Sequence, residues 1–98
     1  MNKHYILDGH KAVSVDLVTW AKWFERAKRH VAQSENEAKV RVSTVFLGLD
    51  HSFGSGPPLL FETMIFGGEH DQYQKRCTTW EQAEEMHKTA CEIAGIKP

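Results

Sequence analysis

Val40-Arg41-Val42-Ser43-Thr44-Val45-Phe46-Leu47-Gly48-Leu49 and Leu59-Leu60-Phe61-Glu62-Thr63-Met64-Ile65-Phe66 decide the fold. Both stretches are rich in β-branched and aromatic residues, the composition of strands. Between them lies Asp50-His51-Ser52-Phe53-Gly54-Ser55-Gly56-Pro57-Pro58. Its glycines and prolines exclude regular structure. The simplest arrangement pairs the two strands antiparallel around this loop. The usual hairpin loop has about two to five residues, and longer ones tend to carry function.

The reading extends outward from this pair. On the N-terminal side, Tyr5-Ile6-Leu7 and Lys11-Ala12-Val13 flank Asp8-Gly9, which predicts a tight hairpin over residues 4–14. Asp16 can cap a helix whose apolar stripe is Leu17, Trp20, Ala21, Phe24, Ala27 and Val31. Trp23 falls off that stripe. Residues 33–39 read as a polar loop. On the C-terminal side, Gly67-Gly68 ends the second strand, and residues 69–77 form a polar connection. A final helix follows. Thr78 with Glu81, or Thr79 with Gln82, supplies its capping box, and Trp80, Ala83, His87, Ala90, Cys91 and Ala94 form its inner stripe. Gly95 and Ile96 supply a left-handed cap and its apolar partner. The order ββαββα predicts a single α+β domain over residues 1–98: a four-stranded antiparallel sheet with two helices on one face.

Composition narrows the function classes. Twelve Lys and Arg balance 13 Asp and Glu, a formal charge of −1. That balance disfavours a nucleic-acid or membrane binder held by net charge. The basic helix face of Lys22, Arg26, Lys28 and Arg29 suits a helix C-terminus and solvent. Residues 1–10 have no apolar h-region, and no run approaches the roughly 20 residues that cross a bilayer. The expected compartment is the cytoplasm, with Cys77 and Cys91 as reduced thiols.

The strand faces suggest partners. Neither face of the paired strands is polar throughout, and two short helices cover only one. The other predicts an apolar contact surface, either for a homodimer or for a protein partner, involving Val45, Leu47, Leu49, Leu60, Met64 and Phe66. A bent sheet covered by its own loops is the alternative. Glu62, within an apolar strand, is either paired with a cation such as Arg41 or a polar anchor in a ligand pocket.

Several constellations could carry chemistry. Asp50, His51, Phe53, Gly54 and Gly56 of the long loop, with Glu62, Glu69 and His70, are the candidate ligand contacts. Loop amides and His51 would meet an anionic, nucleotide-like group, and Phe53 would stack on it. The loop lacks the Lys-Ser/Thr ending of a phosphate-binding loop and does not lead into a helix. A small hydrolase using His51 or His70 with a carboxylate is a further alternative. No ligand spacing specifies a metal; His87 and Cys91, four apart, read as a buried helix pair. No cofactor is implied.

Residues 16–25 (DLVTWAKWFE), 42–53 (VSTVFLGLDHSF), 56–64 (GPPLLFETM) and Thr79-Trp80-Glu81 together resemble a group of small uncharacterised proteins encoded by bacteriophages and prophages. The resemblance runs along most of the chain. It implies a phage accessory protein in the host cytoplasm that acts by binding a host protein, a phage partner or a small signal. It assigns no catalytic or binding residue.

Overall fold

The computed structural model describes residues 3–97. The chain is an α+β fold: β1 (Tyr5–Asp8), β2 (Lys11–Ser14), α1 (Leu17–Arg26), β3 (His30–Glu35), β4 (Arg41–Phe46), β5 (Phe61–Phe66), β6 (Gln74–Cys77) and α2 (Trp80–Ala94). The main sheet is antiparallel in the order β3-β4-β5-β6, and β1-β2 forms a separate two-stranded sheet.

The two strands read first are the sheet's centre, with Val42 opposite Ile65, Thr44 opposite Thr63 and Phe46 opposite Phe61. Its outer strands differ from the expectation. The initial hairpin does not supply them; residues 30–35 and 74–77, read as helix end or loop, do. Helix α1 stops at Arg26 because Arg29 is drawn into the sheet. The Arg29 carbonyl accepts from the Phe46 amide at 2.7 Å, and its guanidinium donates to the Phe46 carbonyl at 3.1 Å. Val31, assigned to the helix stripe, therefore lies in β3. Asn36 turns β3 into β4, its side chain accepting from the Ala38 and Val40 amides.

Both helices are capped as their sequences dictate. Asp16 accepts from the Thr19 amide at 2.7 Å. Thr79 and Gln82 complete the capping box of α2, and Gly95 at φ 74° ends it. Ile96 then folds back into the core. Trp23, not Leu17, joins α1 to the core: its ring meets Phe46 edge-on at 5.7 Å, whereas Leu17 is 58% exposed. Trp20 fixes the same helix by donating its indole N–H to the Gly48 carbonyl at 2.9 Å. Gly48, at φ 78°, brings the backbone so close to α1 that a Cβ there would lie 2.9 Å from the Phe24 ring. The apolar residues of the hairpin, Tyr5, Leu7 and Ala12, pack beside Trp23 on the cluster around Phe46, Leu60, Phe61 and Ala83.

Under α2 the core has two apolar clusters, one around Phe46 and Phe61, the other around Val42, Ile65, Ala90 and Cys91. A polar layer lies between them. His87 is 4% exposed. Its Nδ1 bonds the Thr44 hydroxyl at 2.7 Å, its Nε2 bonds the Ser34 hydroxyl at 3.0 Å, and Thr44 bonds Thr63 at 2.6 Å. A neutral imidazole offers one donor and one acceptor, and hydroxyls can answer either.

Burial holds the His87 imidazole below its usual pKa, because the charged form is poorly solvated there. The unfolded chain therefore takes up the proton first as the pH falls. The stability owed to a neutral His87 is fully present above the ordinary imidazole pKa. It is lost as the pH drops from there through the lower folded value. Urea unfolding across that window should show the loss in the wild type and a flatter profile in His87→Gln. Thr44→Val leaves His87 Nδ1 and the Thr63 hydroxyl short of a partner and should cost about 1–3 kcal/mol at neutral pH. An unchanged urea midpoint would show that the layer does not pin α2.

Candidate functional site

The structure distributes the candidate ligand residues over three places. Asp50, His51, Phe53, Gly54 and Gly56 lie in the β4–β5 connection, before β5 begins. Glu62 lies within β5 on the face away from α2. Glu69 and His70 follow the far end of β5, beside the C-terminal end of α2. Six strand residues separate the first group from the last, about 20 Å of extended chain. His51 and His70 therefore do not converge; His70 lies beside the Glu69 carboxylate, with Nε2 and Oε2 4.0 Å apart.

Within the loop, Asp50 has a local task. Its Oδ1 accepts from the Ser52 amide at 2.8 Å and the Leu59 amide at 2.9 Å, which draws the two ends of the loop together. Burial pushes the Asp50 carboxyl up, but these amides and Lys3 outweigh it and hold its pKa below the ordinary value. Two amides that an anion could have used are thus already taken. Phe53 is 99% exposed and touches neither core nor cleft. A cavity of about 230 Å³ beside the loop is lined by Lys3, Tyr5, Asp50 and the Gly-Ser-Gly turn.

Glu62 accepts from Arg76 Nε at 2.9 Å and from the Gln74 side-chain amide. Its cation is Arg76 on β6, not Arg41. Arg41 instead lies over the Phe66 ring at 4.8 Å, and its Nε is buried without a hydrogen-bond partner. The face away from α2 thus carries Arg41, Ser43, Glu62, Gln74 and Arg76 around Val45, Met64 and Phe66. It is more polar than the two central strands alone suggest, because β6 brings charge to it. Leu60 is not on that face: it is buried in the core beside Phe61 and Ala83. Leu47 and Leu49 follow β4, where Leu47 donates to the Leu60 carbonyl and Leu49 bridges to His4.

A larger cavity lies elsewhere. A cleft of about 530 Å³ separates the β1–β2 hairpin from the start of α2. Leu60, Phe61, Pro58 and Tyr5 supply apolar walls; Asp8, Lys11, Thr79 and Glu81 supply polar ones. The hairpin reaches α2 through its turn. Asp8 pairs with Lys11, so Gly9 and His10 are the two turn residues, and only Gly9 has positive φ (63°), the pattern of a type II′ turn. This places the His10 ring flat on Trp80, with centroids 3.8 Å apart and planes 8° apart. The Trp80 indole Nε1 is buried with no hydrogen-bond partner. Its ring also meets Phe61 edge-on at 6.2 Å, so one aromatic path runs from the cleft into the core.

Sequence reading missed this cleft. Asp8-Gly9 and Trp80 were both legible, as a turn and as a helix start, but nothing in the spacing links residue 10 to residue 80.

Burial shifts both thiols toward the protonated form. It pushes Cys77 up to about 11 and raises Cys91 as well. Both cysteines are free. Among the described residues no group of three His, Cys, Asp or Glu is placed to hold a metal ion, and no helix is long and apolar enough to cross a membrane. No family model, curated protein or solved structure matches the chain.

Asp50→Ala should free the ends of the loop. Hydrogen exchange at the Ser52 and Leu59 amides should quicken, at a global cost of about 1 kcal/mol, since the carboxylate is solvent-screened. Phe53→Ser should change stability by less than about 0.5 kcal/mol. A larger loss for Phe53→Ser would show that its ring packs against the protein in solution.

Proposed function

We propose that this chain is a small non-catalytic binding protein whose ligand is a small molecule held in the cleft between the β1–β2 hairpin and α2. The cleft itself carries the reading. Small-ligand sites occupy about 300–1,000 Å³, with mostly apolar walls and a few placed polar groups. The cavity of about 530 Å³ has that size and that lining. It is built on a strand pair and a capped helix, elements that hold a site more firmly than a loop does.

The binding role also fits the resemblance of residues 16–25, 42–53, 56–64 and 79–81 to phage and prophage proteins. In that setting the protein would act in the host cytoplasm as an accessory that sequesters or senses a host compound.

A fragment screen read by ¹H–¹⁵N correlation spectra tests this. Binders should shift the amides of Tyr5, Ala12, Thr79 and Glu81. Ala12→Phe, which fills the cleft from the hairpin side, should abolish those shifts while the remaining spectrum stays folded. Shifts confined to residues 52–57, or a cleft silent to every fragment, would overturn the reading.

A further inference from the structure

The His10–Trp80 stack lies on the wall of the cleft, where His10 covers a face of the indole. His10 is exposed at the tip of a two-residue turn, and its ring lies parallel to the indole at 3.8 Å. The other aromatic contacts of the core are tilted or edge-on: Phe46 with Phe61 at 58°, Trp23 with Phe46 at 86°, Phe61 with Trp80 at 89°. The wall beside the stack carries two carboxylates, Asp8 and Glu81, against one ammonium, Lys11. None of these three forms an ion pair within 4.0 Å among the described residues. With His10 lifted away, an indole face and an excess of one carboxylate remain.

We propose that His10 is an internal plug, and that the ligand of this cleft is a planar organic cation that takes its place on Trp80. The assignment rests on the cleft being a ligand site. Indole is the aromatic side chain that attracts a cation most strongly, and desolvation in a cleft strengthens the attraction. Asp8 and Glu81 complement the charge, which disfavours the anionic, nucleotide-like ligand that the long loop suggested. The two-residue turn makes exchange simple, since His10 can leave the indole without breaking a pair of the β1–β2 ladder, which closes at Asp8 and Lys11.

Three probes of one shape and different charge test this at pH 7.5: N-methylquinolinium, neutral 2-methylquinoline and 2-naphthoate. Each is titrated into the full chain and its variants, with binding followed at the Trp80 indole N–H and the Thr79 and Glu81 amides. N-methylquinolinium should bind best, and His10→Ala should tighten it roughly three- to tenfold by removing the competitor. His10→Phe, which restores a ring on the indole, should not tighten it. Glu81→Gln should weaken the cation several-fold and leave 2-methylquinoline unchanged. Equal or weaker cation binding in His10→Ala, or equal or better binding of the neutral or anionic probe, overturns the assignment. Shifts that still map to the cleft would then leave the ligand-site reading standing. If none of the probes moves a cleft resonance, the cation assignment falls; the cleft reading falls with it only where the fragment screen is also silent.

Discussion

One buried polar layer organises the molecule. His87, Thr44, Thr63 and Ser34 tie α2 to three consecutive strands, β3, β4 and β5, by hydrogen bonds; the two through the Thr44 hydroxyl are buried. Apolar burial is non-directional and would let a helix slide or turn on a sheet. A hydrogen-bonded imidazole would not, because each partner lost leaves a buried polar atom unpaired. The layer therefore sets where α2 lies along the strands. With α2 placed, its first residue, Trp80, stands where the hairpin can reach it. The position of the cleft follows from the polar layer, although no residue of that layer lines it.

Legibility in the sequence followed burial. The central strands are rich in β-branched and aromatic residues, and that composition identifies them without a structure; Val42, Phe46, Phe61 and Ile65 are their buried side chains. The caps of both helices were equally plain, because capping is local chemistry between residues three apart. The outer strands were hidden by their position. Residues 30–35 read His-Val-Ala-Gln-Ser-Glu and residues 74–77 read Gln-Lys-Arg-Cys. An edge strand is half solvated and is protected from further pairing by charge, so its composition approaches that of a loop. The stripe of α1 misled for a related reason. Ala27 and Val31 continue a helical period, but Arg29 gains two hydrogen bonds with Phe46 in the sheet, and that outweighs a weak helical preference. Trp23 was off the stripe because the stripe was drawn through Leu17, which faces solvent.

The candidate site was legible in its parts and not in its assembly. The long loop drew attention because it is long, rich in glycine and proline, and holds an acid beside a histidine. In the structure Asp50 is spent on closing that loop, and Glu62 is paired across to β6. The groups left to act are those whose partners are few: Asp8, Lys11 and Glu81 along the cleft, and an indole N–H without an acceptor. No pattern within a window of a dozen residues joins them. The hairpin and the start of α2 are the two ends of the chain's fold, and only tertiary packing brings them together.

The hairpin is a suitable carrier for a residue that must both hold a place and yield it. Its base is fixed: the Tyr5 amide donates to the Gly48 carbonyl, the Asp50 amide to the Lys3 carbonyl, and the His4 bridge continues the pairing to Leu49. Its middle is fixed as well, by Tyr5, Leu7 and Ala12 on the cluster around Phe46 and Phe61. Only the turn extends beyond these anchors. Releasing His10 from Trp80 exposes one ring face and leaves every backbone pair and core contact of the hairpin in place. A ligand thus competes against a single stacking contact rather than against folding. That keeps the opposing free energy near the small value of one ring–ring interaction, a range in which a weakly binding small molecule can prevail.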